Sequence, residues 1–411
     1  MKIRAFVLLL LLACAVVFSF RPEARVKVEE FNRLFLDFLN ANTRAKSDKK
    51  PLPPNDEVVF LEFREADKTE YSAWPPAPLD YIMVLKRLAE HDPEVVAFTD
   101  VLKWDKADTQ FTPELQQSFL KFSTVALAFR AEDIGKEAVD SVIREDVSMP
   151  TIAKVVGDPK LAPRLGKYEF PAKALRTQMQ LGFVLADKEK KPGSAVPLVA
   201  RAGDALVPSL AAQILALREH APYATQRLRF GRGAGLFLGE DVFVPLEDNG
   251  NVTPQLEGDV VRVNALDLMT PSLQDEVAVT ANAKLGKHKV VIVGSVPSVG
   301  ETQTRVVAWA LALPKLHRAP ITAEWIAAAL AALLAIWQLR FGRFSAAFFG
   351  VGVMAAMLAL ALAEFQMMRR WCGPALPGAL TLLATVFCFL WPHPKRPEEK
   401  HADEPAPAPP A

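Results

Sequence analysis

Val58-Val59-Phe60-Leu61-Glu62-Phe63, Val95-Val96-Ala97-Phe98-Thr99 and Thr124-Val125-Ala126-Leu127-Ala128-Phe129 are three apolar runs of strand length. Pro78 opens the stretch between the first and second, which runs to about His91 with Ile82, Leu85, Leu88 and Ala89 on one helical face. Asp92-Pro93 ends it. Between the second and third runs, Pro113–Phe122 has the same helical character. Strand, helix, strand, helix, strand predicts an α/β domain, a mostly parallel sheet with crossover helices.

Reading outward, Leu181–Leu185 is a strand and Ser209–Glu219 a helix. Gly235–Gly239 and Asp241–Val244 form a hairpin, followed by a strand at Val260–Val263 and a short helix around Ala265–Met269. Lys289-Val290-Val291-Ile292-Val293-Gly294 is the strongest strand of the chain. Its apolar run is continuous rather than alternating, which predicts a central place in the sheet, buried on both faces. A helix from about Thr304 to Leu316 leads to Pro320. Ala131–Thr177, rich in charge and proline, reads as helical fragments and loop. Before the first strand, Val28, Phe31, Leu34, Phe35 and Phe38 make Arg25–Asn40 an amphipathic helix, followed by a polar linker from Thr43 to Lys50. No internal repeat is visible.

Four apolar stretches frame this domain: Ala5–Phe20, Thr322–Leu339, Phe344–Ala363 and Pro374–Trp391. A bilayer core about 30 Å thick takes about 20 apolar residues. The last three approach that length and predict an all-α transmembrane part of four helices, counting the first as an uncleaved anchor. The first also suits a signal peptide, and Leu11-Leu12-Ala13-Cys14 suits a lipoprotein signal. Lys2 and Arg4, Arg340 and Arg343, and Lys395 and Arg396 flank the spans on one side, which the positive-inside rule makes cytoplasmic. Arg369 and Arg370 oppose that assignment. The expected organisation is an anchor at 1–20, a helix and linker at 21–55, an extracytoplasmic domain at 56–318, three spans within 322–391 and a disordered cytoplasmic tail at 392–411, with no output domain after the fourth span.

The 48 Lys and Arg balance the 47 Asp and Glu, and no basic stripe accumulates, so nucleic acid is not an expected partner. Cys14, Cys372 and Cys388 lie in or beside the apolar stretches, which leaves the large domain without disulfide or thiolate metal site. The six histidines are scattered; His91, His220 and His317 fall at expected helix ends, where the dipole favours a cation. Gly231-Arg232-Gly233-Ala234-Gly235 precedes a strand rather than a helix and reads as a turn, not a phosphate loop. Ser295 and Ser298 sit in no nucleophile elbow. No catalytic residue, metal site or cofactor is expected, and the chain does not read as an enzyme. Trp74-Pro75-Pro76-Ala77-Pro78 reads as a rigid connection whose Trp packs on the core.

Several short motifs, in order, carry a resemblance. They are Trp74-Pro75-Pro76 before a helix, Val95–Leu102 ending its strand at Asp100, Gln180-Leu181-Gly182-Phe183-Val184, Val207-Pro208-Ser209-Leu210-Ala211, Val244-Pro245-Leu246 with Asp248, Asn249 and Gly250, and Leu285–Ser295. With one apolar stretch before them and three after, the chain resembles the type-2 CHASE domain across about residues 5–392. That resemblance implies an extracytoplasmic sensor module with one span before it and three after, which in the family precede an adenylate cyclase or a kinase. Arg64-Glu65 stands where the family has paired aspartates, and Glu301, Thr302 and Thr304 stand where it has an aspartate and Thr-Pro. A ligand site built there departs from the family's.

In open α/β sheets the ligand crevice lies outside the carboxyl ends of the strands. Glu65, Thr99, Asp100, Ser295 and Glu301 follow predicted strands and are the expected ligand-binding residues for a small molecule. Asp100 also matches the family pattern. The expected function is that of a multi-pass sensor of the bacterial inner membrane with its large domain outside the cytoplasm. Its expected partners are the lipid bilayer, a small ligand, a membrane-bound effector such as a cyclase or kinase, and a second copy of itself in a homodimer. A tethered periplasmic hydrolase and a structural envelope scaffold are the alternatives.

Overall fold

The computed structural model describes residues 2–47, 51–104, 109–135, 149–177, 179–186, 194–231, 233–239, 241–269, 285–286 and 288–391. The tail expected after Pro392 lies outside the described residues. The chain divides into two compact units, one formed by residues up to Asp37 together with those from Arg318 on, the other by Phe38–His317.

The second unit is built on a seven-stranded sheet. Its strands are β1 (Val58–Glu62), β2 (Val95–Phe98), β3 (Val125–Asp133), β4 (Leu165–Glu169), β5 (Gln180–Leu185), β6 (Val261–Asn264) and β7 (Val290–Gly294). In space they run β6-β1-β7-β2-β3-β5, all parallel. β4 is antiparallel to the second half of β3, where Arg130 pairs with Glu169 and Asp133 with Leu165. The mostly parallel α/β sheet expected from the sequence is present, and β7 holds the expected central place between β1 and β2.

Helices cover both faces. We number α1 (Lys2–Ser19), α2 (Pro22–Ser47), α3 (Pro78–Leu88), α4 (Thr112–Phe119), α5 (Leu210–Arg218), α6 (Ala265–Met269) and α7 (Pro297–Ala312). Tyr81, Leu85 and Leu88 of α3, Leu115 and Phe119 of α4 and Leu268 of α6 bury against Leu61, Val96, Phe98, Leu127, Val291 and Val293. Ile214 and Leu215 of α5 and Val306, Val307 and Trp309 of α7 bury against Phe60, Val95, Ala97, Ala126, Val290 and Ile292 on the other face. The split follows strand alternation, with successive residues of β2 and β7 entering opposite cores. It also obeys crossover handedness. The crossings from β1 to β2, β2 to β3 and β6 to β7 step in one direction and use one face, whereas the return from β5 to β6 carries α5 on the other. α7 lies so close to β1 that a Cβ on Gly300 would overlap the Phe60 ring.

Three expectations are corrected. The final helix begins at Pro297 and ends at Ala312, not at Thr304 and Leu316, because Pro297 supplies the first helical residue. His317 accordingly lies in a two-residue strand pair, not at a helix end. Ala131–Thr177 is not only helical fragments and loop: β3 continues to Asp133, and residues 154–156 and β4 are strands. Residues 154–156, 227–229, 235–238 and 242–245 form a separate four-stranded sheet, the last two being the expected hairpin. Gly231 and Gly233, both at positive φ, make the turn into it.

The other unit is helical, with α8 (Ile321–Gln338), α9 (Arg343–Met368) and α10 (Ala375–Leu390) following α1 and the start of α2. Ala328, Ala331 and Ala335 of α8 meet Leu380, Ala384 and Cys388 of α10, with Leu8 and Leu12 of α1. Small residues let such apolar helices approach closely. Among the described residues α9 is long and apolar enough to cross a membrane; α1 and α2 pass that test only together, across a 90° bend, and α8 and α10 are apolar but shorter. Arg318 donates to Glu29 of α2 at 3.0 and 3.1 Å and to Glu324 of α8 at 3.1 Å, and it lies over the Trp371 ring at 5.1 Å.

The central position of β7 has a testable cost. Ile292 is fully buried between α5 and α7 and the sheet. Ile292→Asp places an unpaired charge there, at several kcal/mol against a total stability of about 5–15 kcal/mol. The expected outcome is loss of protease resistance in Phe38–His317, read by limited proteolysis of the full chain.

Candidate functional site

All the parallel strands end on the same side of the sheet, and β7 and β2 are direct neighbours there. The N–H of Thr99 donates to Val293 O at 2.8 Å, and its hydroxyl reaches the same oxygen at 3.2 Å. Gly294 makes room for that hydroxyl, which a Cβ would overlap. One residue on, Asp100 Oδ2 accepts from Ser295 N at 2.8 Å and Oδ1 from Ser295 Oγ at 3.1 Å. The two strand ends are thus clasped by a carboxylate on one and a serine on the other.

A third element joins them. Tyr81 of α3 donates its hydroxyl to Asp100 Oδ2 at 2.7 Å. Its ring stands edge-on to Phe63 at 4.9 Å, to Phe98 at 5.8 Å and to Trp104 at 6.0 Å. α3 is itself fixed at its start. Asp80 accepts from Ser72 N and Ser72 Oγ, both at 2.9 Å, and from Ala77 N at 2.9 Å. These bonds pin the Trp74–Pro78 connection, in which Trp74 stacks on Tyr71 and Pro78 is the first helical residue, as expected. The Trp74–Pro75 peptide is cis.

Burial raises the pKa of Asp100 above the ordinary carboxylate value, against the opposing pull of the Tyr81 and Ser295 bonds and the Arg130 charge. Burial and the Asp100 charge push Tyr81 well above the ordinary phenol value. The proton therefore stays on Tyr81, which acts as donor.

The structure brings Thr99, Asp100 and Ser295 together. Glu65 lies exposed in a short 3-10 helix, Glu65–Glu70, and Glu301 does not follow the strand directly. Glu301 sits within α7, buried and ion-paired with Arg262 of β6. Arg305, one turn on, approaches it at 3.9 Å. Its carboxylate joins α7 to the sheet. Asp100 ties β2 to β7 and α3.

Two features were not read from the sequence. Tyr81, Val84, Leu85 and Leu88 form an i, i+3, i+4, i+7 set that marks Tyr81 as inward-facing. A cavity of about 30 Å³ opens beside the carboxyl end of β5, lined by Phe183, Leu185, Val196 and Pro197 and by Ser298, Val299, Thr302 and Gln303 of α7. Its signal was Pro297, a helix opener directly after a strand. Among the described residues no group of His, Cys, Asp or Glu could hold a metal ion.

Among the comparisons with known proteins, the family model of the CHASE2 domain matches residues 7–387. The chain belongs to the CHASE2 domain family. CHASE2 domains are extracytoplasmic sensory domains, and the match runs through both units. No curated protein and no solved structure matches the chain.

The raised pKa of Asp100 gives a pH signature. Between the unfolded carboxyl value near 4 and the higher folded one, the folded CHASE2 domain binds more protons than the unfolded chain. Asp100 therefore lowers stability as pH rises through that window, and the contribution levels off above it. Asp100→Asn removes this slope. Melting temperatures of wild type and variant across pH 4 to 7 are expected to converge at the acid end and separate towards neutrality.

Proposed function

We propose that this chain is a membrane-anchored sensor whose ligand is taken up at the carboxyl end of the central sheet. The observation that carries the reading is the CHASE2 match over residues 7–387, which includes the apolar helices as well as the α/β unit. In this reading α1, α8, α9 and α10 are the four spans, and the Phe38–His317 unit lies outside the cytoplasm of a bacterial cell. The clasp of Thr99, Asp100, Ser295 and Tyr81 sets the spacing of the two strand ends and of α3, so a small molecule that competes for those hydrogen bonds changes that spacing. Glu65, exposed nearby in the chain, and Glu301, committed to Arg262, are the peripheral members of the site.

The route outward rests on Arg318. It is the first residue beyond the α/β unit, while its partner Glu29 lies in α2 on the approach to that unit. The segments leading in and out are thereby joined within the helical unit, and Glu324 adds the start of α8. A displacement of the α2 segment reaches the start of α8 through this guanidinium. The recipient is a membrane-bound effector such as a cyclase or kinase, and a homodimer is the natural arrangement for passing a helix shift to it.

Fusions test the topology. A reporter after Trp391 is expected in the cytoplasm, and one inserted between Lys188 and Gly193 outside it, from the placement of Lys2, Arg4, Arg340, Arg343, Lys395 and Arg396. Both reporters on one side would remove the odd number of crossings between them and with it the four-span reading.

A further inference from the structure

The start of α10 takes its cap from another helix. The first N–H groups of a helix have no partner inside it, and a Ser, Thr, Asp or Asn just ahead ordinarily supplies an acceptor. The residue ahead of α10 is Pro374, which has no side-chain acceptor to give. Pro377, in the first turn, has no N–H, and the N–H of Gly378 turns back to Pro374 O at 2.8 Å. The N–H of Ala375, the first helical residue, donates instead to Asn32 Oδ1 of α2 at 3.2 Å.

Asn32 is built into that place. It is 1% exposed. A backbone N–H demands an acceptor, which turns Oδ1 towards Ala375 and Nδ2 away from it. Nδ2 lies against Gly373, where a Cβ would stand 2.7 Å from it and 2.8 Å from Glu324 Oε1. A glycine is therefore needed for the connection from α9 to α10 to pass between these two side chains. Glu324, in the first turn of α8, accepts from Gly373 N at 3.1 Å and from Arg318 Nε at 3.1 Å. Glu29, on α2 three residues before Asn32 and on the same helical face, holds the other side of Arg318. One face of α2 thus meets both the approach to α8 and the start of α10.

The capped helix is the one its neighbours share. Leu380, Ala384 and Cys388 of α10 pack with α8 and α1, and Thr385 accepts from Gln338 of α8. α2 stands at 90° to α1, so it crosses the direction of that helix rather than prolonging it. A roll or lift of α2 withdraws Asn32 from Ala375 without requiring α1 to slide along its own axis.

We propose that α2 is a strap across the helical unit: when it is seated, Asn32 caps α10 and Glu29 holds Arg318, and when it lifts, α10 loses its cap and its first turn opens. The proposal deepens the sensor reading, on which the direction of the signal rests, by naming α10 as a second recipient beside α8.

The test is hydrogen exchange of the full chain in lipid nanodiscs, read by mass spectrometry over residues 375–384 and, as an internal control, over β7. Asn32→Ala removes the acceptor and is expected to speed exchange in the first turn of α10 about five-fold, the worth of one N-cap, with β7 protected as in wild type. Asn32→Asp keeps an acceptor and adds a charge that a helix start favours, and is expected to exchange as wild type does. Glu29→Ala leaves Asn32 in place but frees α2 from Arg318, and faster exchange in the same turn of α10 is expected. Wild-type exchange there in Asn32→Ala overturns the cap, as does an Asn32→Asp chain that opens as far as Asn32→Ala. Exchange raised equally in β7 marks general loosening and overturns it too. Faster exchange in Asn32→Ala with wild-type exchange in Glu29→Ala overturns the strap, because the cap then does not depend on how α2 is seated. If the strap fails while the fusions place the two reporters on opposite sides, the sensor reading stands. If the expected exchange is found in a chain whose fusions place both reporters on one side, the strap is sustained and the membrane reading falls.

Discussion

The seating of β7 between β1 and β2 is the constraint on which the rest of the α/β unit depends. Val58 pairs with Val290 and Glu62 with Gly294 on one side, and Val290 pairs with Val95 and Val293 with Phe98 on the other. A strand bonded along both edges and buried on both faces has no freedom of register, since a one-residue slip would exchange the cores that Ile292 and Val293 occupy. Fixed register places Ser295 beside Asp100. It also starts α7 over the top of the sheet, where Gly300 packs on Phe60 and Glu301 meets Arg262.

Much of this was legible in the residues because the signals were local and strong. Continuous apolar runs marked β1, β2, β3 and β7 as strands, the last of them as a central one, and Ser209 marked the start of α5, where its hydroxyl accepts from Ala212 N at 3.2 Å. What escaped was set by tertiary context. β4, Leu165–Glu169, is a mixed, half-polar strand that exists because β3 runs on past the end of β2 and leaves an edge to pair. α7 was placed about two turns late because Ser298, Gly300, Glu301, Thr302 and Thr304 look unlike a helix. Pro297 starts that helix, and burial against β1 sustains it.

The site shows the same division. Asp100 was found from its place at a strand end. Its partner Tyr81 comes from a helix in another part of the chain, and no strand-end argument points to it. Glu65 and Glu301 share that sequence position but not its environment: one is exposed, the other is committed to Arg262. In the helical unit, apolar length identified the segments, but composition does not register a buried polar contact such as Gln338. Its Nε2 donates to Ala346 O at 2.6 Å and to Thr385 Oγ1 at 3.1 Å, tying α8 to α9 and α10. Polar links of this kind give apolar helices a definite partner and rotation.

The two margins of the central sheet have a bearing on self-association. At one margin β6 is only four residues long, and its Arg262 is held by Glu301 of α7. At the other, β5 is met by a bridge from Phe183 to Ser209, with the backbone of Leu210 pressed against Gly182. Short, charged or covered margins deny a neighbouring chain the long row of free amides that strand addition needs. Two copies of this domain therefore have no continuous sheet to share. Crowding them together tests helix against helix, and the fold is shielded from the edge-to-edge polymerisation to which open parallel sheets are otherwise exposed.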